Sequence, residues 1–268
     1  MLYRFHSLVK LVKNRHKHLS SNYTYSGNMS TPYFILTKSC NRSTSDTAAD
    51  QIIYLGPRLH YILPQVNIDY YAKRGLFESG LIDWCKQFLK PEKTFLDIGA
   101  HTGTYALSLA PWCAKVEAFE PQRATYYSLC GSIALSNLTH KVQAHNFGLG
   151  SEDQVGVQKL HIVSADGGGS SLWTNGPNPT LRTEVIEVKT LDSMCLSNIG
   201  FVKMDVEDNE LSVLKGAQET FRRSGWPTVL FESNRENGDL FDYVRDEMGY
   251  TIISISGVSN MFLATYKN

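Results

Sequence analysis

Thr94 to Tyr105 reads TFLDIGAHTGTY, and the fold follows from how that stretch is understood. Phe95, Leu96 and Ile98 make a short apolar run of strand type; Gly99, Thr102 and Gly103 break it, and the residues from Thr104 to about Pro111 suit a helix. A turn this tight brings main chain close to whatever lies above it. Glycine is expected at Gly99 and Gly103 because a Cβ would block both a positive φ angle and the approach of a ligand. The spacing Asp-x-Gly-x-x-x-Gly lacks the Gly-x-Gly-x-x-Gly run of nicotinamide-binding turns and the Gly-Lys-Ser/Thr of a phosphate loop. Asp97 adds a carboxylate beside the turn, which repels phosphate and suits a ligand with a cationic amino group. Taken alone, the stretch also fits an ordinary strand-to-helix turn in which Asp97 caps the helix.

Outward from this turn, the 268 residues suffice for one large domain with a short appendage. Twenty-six basic and 26 acidic residues cancel, so no global field draws nucleic acid or an anionic membrane. No apolar run is long enough to span a bilayer. The five cysteines are scattered without a Cys-x-x-Cys pair, which favours reduced thiols over a disulfide framework or a zinc site. Residues 1–45 hold bases but no acid, with Phe5, Leu8, Val9 and Val12 at helical spacing. This reads as a flexible basic leader over residues 1–50 before a domain at 51–268; a cytoplasmic protein is expected, with a mitochondrial transit peptide as the alternative.

The rest of the domain alternates. Gly75 to Leu89 suits a helix, KVEAFE (115–120) a second strand stopped by Pro121, and Val142 to Leu149 a third. GFVKMDVE (200–207) and Thr228 to Glu232 follow as strands, each with an amphipathic stretch behind it, and Tyr250 to Ser256 with Asn260 to Tyr266 suits an antiparallel hairpin. Strands alternating with helices imply a mostly parallel sheet covered on both faces. The Gly/Ser/Asn/Pro stretch 164–179 is long for a compact domain and reads either as a lid or as a surface excursion.

In such a sheet a ligand sits beyond the carboxyl ends of the strands, where the chain reverses direction across the sheet. The acids fall there: Asp97, Glu120, Asp205 and Glu207. Glu120 follows Gly103 by 17 residues, near the spacing at which an acid grips a ribose diol. Asn146 suits an adenine edge or a turn cap. Asp205 and Glu207, two apart, would share one face if the strand ran through both. His101 is a candidate base or a helix-start histidine bonded to a loop carbonyl.

FLDIGAHTGTYALSLA, VEAFEP, HNFGLG, VKMDVEDNELSVLKGA and VLFES together resemble the FkbM-type family of S-adenosylmethionine (SAM)-dependent methyltransferases over roughly Gly75 to Glu232. The resemblance implies a class I, Rossmann-like α/β fold: a seven-stranded, mostly parallel sheet with helices on both faces and an antiparallel C-terminal strand. It implies SAM as cofactor and methyl transfer to oxygen, commonly a hydroxyl of a sugar or another small metabolite. Combined with the strand-terminal reading, it gives a cofactor site of Asp97, Gly99, Ala100, His101, Gly103, Glu120, Pro121, Asn146 and Asp205. Asp205 and Glu207 are the expected catalytic pair, and the acceptor a small molecule or glycan. The family usually has glycine after Asp-Val-Glu, where this chain has Asp208. A catalytically silent SAM-binding module and a nicotinamide-dependent oxidoreductase are the other readings. No metal is expected, although Asp205, Asp208 and Asn209 offer oxygens that suit magnesium.

Overall fold

The computed structural model describes residues 23–26, 33–39, 58–174, 178–233, 238–258 and 260–266. Its strands, in chain order, are β1 (Tyr23–Ser26), β2 (Tyr33–Ser39), β3 (Arg58–Pro64), β4 (Thr94–Ile98), β5 (Lys115–Phe119), β6 (Val142–His145) and β7 (Gly148–Leu149). They continue with β8 (Gly156–Ile162), β9 (Arg182–Lys189), β10 (Ile199–Met204), β11 (Thr228–Glu232), β12 (Tyr250–Ser254) and β13 (Met261–Tyr266).

Seven of these form one sheet in the order β12-β13-β11-β10-β4-β5-β6. The pairs β11/β10, β10/β4, β4/β5 and β5/β6 are parallel, while β13 runs antiparallel to both of its neighbours. The last strand is therefore the reversed one, as the alternation and the C-terminal hairpin imply. From β4 the chain steps outward through β5 to β6, then returns to the other side of β4 as β10. That reversal makes the carboxyl ends of β4 and β10 the switch point of the sheet.

Alternation along β4 splits the core in two. Phe95 packs with Tyr105 and Leu107 on one face, whereas Leu96 and Ile98 pack with Val213, Leu214 and Phe221 on the other. The first face is covered by helices Ser79–Cys85, Thr104–Leu109 and Arg123–Leu135, and the second by Glu210–Lys215 and Gln218–Ser224. The stretch expected as one helix, 75–89, is a seven-residue helix followed by a 3-10 turn over Lys86–Phe88. Gly75 at φ 77° and Glu78 at φ 53° delay its start.

One strand expectation changes. Val142 to Leu149 is not one strand: β6 stays in the large sheet and β7 joins β9 and β8 in a separate three-stranded sheet. The break falls at Asn146, whose amide donates to the carbonyls of Glu120 and Pro121 and ends the pairing with β5. Residues 1–50 are the stretch read above as a basic leader. β1 and β2 lie within it and extend β3 into an antiparallel three-stranded sheet. The amphipathic pattern at residues 5–12 lies outside the described residues. β3 itself is integral to the domain: Tyr61 and Leu63 are fully buried, and the Ile62 and His60 amides donate to the Ser132 and Ser136 hydroxyls of helix Arg123–Leu135.

Candidate active site at the switch point

A cavity of about 280 Å³ opens over the carboxyl ends of β4, β5 and β10. Gly99, Ala100 and His101 of the glycine turn form its floor, and Phe119, Glu120 and Pro121 one wall. Phe147 to Leu149 add an apolar side, and Lys203, Asp205 and Glu207 stand at the far end. Tyr71, Phe77 and Glu78 close it from before β4, positions for which the sequence carried no motif.

The glycine turn departs from expectation in an instructive way. Gly99 adopts φ 78°, and a Cβ there would lie 1.8 Å from the carbonyl oxygen of Asp205. Glycine is thus required by the expected positive φ and by the crossing of two main chains, at a residue that also lines the cavity. Gly103, at φ 92°, does not line the cavity; its Cα faces Leu129 and Leu107 and starts helix Thr104–Leu109. Asp97 is also absent from the lining. It is fully buried, accepts the Ala106 amide at 2.8 Å, and sits opposite Lys203 in the β4/β10 register. Burial pushes its carboxyl up to about 6, against the pull of Lys203. Asp97 thus ties β4 to helix Thr104–Leu109 through its Oδ2, while its Oδ1 has no hydrogen-bond partner. Asn146, spent on two main-chain carbonyls, also lies outside the lining.

Glu120 does line the cavity, and most of its capacity is used. Its Oε1 accepts the Gln122 amide and the Thr125 hydroxyl, and its Oε2 accepts the His101 amide at 2.8 Å. A carboxylate has about four lone-pair sites, so room remains for one ligand hydroxyl rather than two. Burial raises its proton affinity, opposed by His101 and these donors. The His101 ring bonds the carbonyl of Asp166 at 2.7 Å. Since a carbonyl only accepts, Nε2 carries the proton and is committed as a donor, not a base.

β10 ends at Met204, so Asp205 and Glu207 lie beyond the strand and its alternation does not order them. Glu207 and Asp208 instead adopt left-handed conformations, φ 55° and 74°. This bend still gathers the acids: carboxylate oxygens of Asp205, Glu207 and Glu232 all lie within 4.8 Å of one another. Glu232, the last residue of β11, lies outside the cavity lining and was not singled out in the sequence. Lys203, side chain 5% exposed, reaches Asp205 Oδ2 at 3.2 Å and the Gly99 carbonyl at 3.4 Å. Burial pulls this ammonium's pKa down, but Asp205 and Asp97 outweigh it and hold it above its ordinary value. Burial and Asp205 push the Glu207 carboxyl up to about 7. Asn209 does not join the acids; its Oδ1 accepts the Gln154 amide.

The 164–179 stretch is anchored over the site at its first half. Asp166 accepts from Ser164 and from Asn67, the Gly169 amide donates to Glu207 at 3.0 Å, and the Ser171 hydroxyl donates to the Glu207 carbonyl. Residues 175–177 lie outside the described residues.

Left-handed φ strains a residue with a Cβ by about 1–3 kcal/mol, less for aspartate, and not at all for glycine. Asp208 occupies such a position where the resembling family has glycine. Asp208→Gly is therefore expected to raise the melting temperature by about 2–4 °C, equivalent to about 1 kcal/mol. A thermal scan showing no rise would mean that Asp208 makes contacts worth as much as the strain.

Residues 97–252, more than half of the chain, match the methyltransferase FkbM domain family. The chain belongs to that family. No curated protein matches it by sequence. Among solved structures, a methyltransferase FkbM from Methylobacillus flagellatus KT is 21% identical, with 71% of this chain and 46% of that chain covered at a TM-score of 0.49. An rRNA methylase from Streptococcus thermophilus is 13% identical over 70% of this chain and 95% of that one, TM-score 0.43. A precorrin-6y C5,15-methyltransferase from Geobacter metallireducens GS-15 is 10% identical over 73% and 92%, TM-score 0.46. The chain spans under half the length of the first of these. Among the described residues no helix is long and apolar enough to cross a membrane.

Proposed function

We propose that the chain transfers the methyl group of SAM to a hydroxyl oxygen of a small acceptor such as a sugar. The observation that carries this reading is the cavity at the switch point, with the glycine turn and Glu120 at one end and Asp205 and Glu207 at the other, in a chain of a methyltransferase family. In this reading Phe119 and Phe147 would hold the adenosine, Glu120 would accept from one ribose hydroxyl, and Gly99 to His101 with Asp205 would hold the methionine end. Ionised Asp205 receives the amino group in place of Asp97. The cytoplasm is the proposed compartment, in keeping with the free thiols of Cys85, Cys113, Cys130 and Cys195.

The chemistry is an in-line displacement at the methyl carbon, so alignment supplies most of the rate, up to about 7–11 kcal/mol in well-oriented reactions. A hydroxyl acceptor also has to lose its proton, and a positioned base contributes about 10²- to 10⁴-fold. Glu207 is the proposed base. Burial and the neighbouring acids hold it near neutrality, where it is both partly ionised and basic enough to take a proton. Asp205, bonded to Lys203, orients rather than accepts.

The test has two stages. Calorimetry should show SAM and S-adenosylhomocysteine binding to the folded protein; absence of both would sink the reading. With an acceptor found by screening hydroxylated metabolites for S-adenosylhomocysteine release, Glu207→Gln should lower turnover at least tenfold while leaving melting temperature nearly unchanged, because the amide oxygen still accepts from Gly169. Wild-type turnover should rise as pH climbs through about 7, since a base works in its deprotonated form. An unchanged rate in the variant would assign Glu207 to holding the 164–171 segment alone, and cofactor binding without turnover would favour the silent SAM-binding module.

A further inference from the structure

We propose that Glu78 is a cofactor-binding residue, whose carboxylate receives the ammonium at the amino-acid end of SAM together with Asp205. The inference rests on the proposed cofactor reading and adds to it a residue from before β4.

Five acids line the cavity: Glu78, Glu120, Asp166, Asp205 and Glu207. An ammonium brings several N–H donors and a full charge, so it is best held by a carboxylate with lone pairs to spare and no cation beside it. Glu120 already accepts from Gln122, Thr125 and His101. Asp166 accepts the Ser164 hydroxyl and the Gly168 amide on one oxygen and the Asn67 amide on the other. Asp205 carries the Lys203 ammonium, and Glu207 accepts the Gly169 amide and is the proposed base. Glu78 differs from all four. Its carboxylate accepts one hydrogen bond, from the neutral Tyr105 hydroxyl to Oε2 at 2.8 Å, and no basic side chain among the described residues pairs with it. Of the roughly four lone-pair sites on a carboxylate, both on Oε1 are unused.

Local structure releases this side chain. Glu78 is the N-cap of helix Ser79–Cys85, where an acid is ordinarily held by the helix amides, yet its side chain makes no capping bond. It reaches Tyr105 of helix Thr104–Leu109 instead. The glycine turn sets the place. The His101 amide is bonded to Glu120 at one end of the turn, and the Gly99 carbonyl accepts from Lys203 at the other. That same Lys203 stands 5.1 Å from the centre of the Tyr105 ring and 3.2 Å from Asp205 Oδ2. Glu78 and Asp205 therefore flank one lysine–tyrosine pair, at the end of the turn away from the proposed ribose contact. Lys203 answers the charge of Asp205, so Glu78 supplies the unmatched negative charge there.

Calorimetric titration at pH 7 with S-adenosylhomocysteine, and with the analogue in which a hydroxyl replaces its amino group, separates the ammonium from the rest of the ligand. The wild type should bind the analogue about tenfold or more weakly, the worth of a hydrogen bond between charged groups; competition with S-adenosylhomocysteine reads an analogue too weak to titrate. Glu78→Gln, whose amide oxygen still accepts from Tyr105, should lower S-adenosylhomocysteine affinity about tenfold, change affinity for the analogue by less than about twofold, and leave the melting temperature of the unliganded protein unchanged. An unchanged S-adenosylhomocysteine affinity in the variant would overturn the inference. Equal losses for the two ligands would overturn it too, by showing that Glu78 only shapes the cavity. Equal wild-type affinities for the two ligands would do so without the variant, so the comparison decides even if Glu78→Gln fails to fold. A wild-type protein that binds neither ligand would instead count against the cofactor reading itself.

Discussion

Gly99→Ala is expected to cost at least about 4 kcal/mol of stability and to lower the melting temperature by about 10 °C or more. The cost has two sources. Alanine at φ 78° is strained, and its Cβ would fall 1.8 Å from the Asp205 carbonyl oxygen, a main-chain atom that cannot swing aside. Moving that carbonyl disturbs the adjoining Asp205 amide, which donates to the Ile98 carbonyl at 3.0 Å and closes the β4/β10 ladder at its functional end. Gly80→Ala is the control: it lies within helix Ser79–Cys85 with open space around the added carbon, and alanine there should be neutral or gain up to about 1 kcal/mol. A Gly99→Ala melting temperature within about 3 °C of wild type would refute the crossing as the reason for glycine.

Lys203→Met should cost about 3–5 kcal/mol, the range for removing one partner of a buried ion pair. The ammonium lies beside Asp97 in the register, bonds Asp205, and stands 5.1 Å from the centre of the Tyr105 ring. Its removal leaves the buried Asp97 and the half-buried Asp205 without a counter-charge. The loss should depend on pH in a defined direction. Lys203 stabilises the ionised form of Asp97, which titrates near 6 with the lysine present and higher without it. The Asp97 part of the deficit should accordingly be full only above the variant's higher titration point, shrink as pH falls below it and be gone below about pH 6, because a protonated Asp97 no longer needs its partner. Urea denaturation at pH 5 and 7.5 measures this, and a deficit independent of pH would mean that lost packing, rather than lost charge, accounts for it. Lys203→Met combined with Asp97→Asn should recover part of the stability at pH 7.5.

The two variants probe one structural fact from opposite sides. Where β4 and β10 meet, main chain crosses main chain at Gly99, and charge is buried against charge at Lys203. The candidate methyl-transfer residues project from this junction, so their placement depends on it. Asp205 follows Lys203 by two residues and its amide is bonded to β4, which leaves it little freedom to drift.

What the sequence by itself determined is whatever depends on local pattern. The apolar run before Asp97, the glycine break, KVEAFE before Pro121 and GFVKMDVE each announce a strand through side-chain spacing, and their alternation with helices implies the parallel sheet and the strand-terminal acids. Glu120 is legible because the interval from a glycine turn to the end of the next strand is fixed by one helix and one strand. Tertiary structure alone decided which atoms meet. Asp97 and Lys203 are 106 residues apart in the chain and opposite each other in the sheet, a pairing that no local spacing encodes. The reason for Gly99 lies in the path of Asp205, and Glu232 reaches the site only because β11 lies alongside β10 with Phe231 opposite Met204. Strand register and the left-handed bend at Glu207 and Asp208 set these contacts, and both are fixed by packing between distant segments.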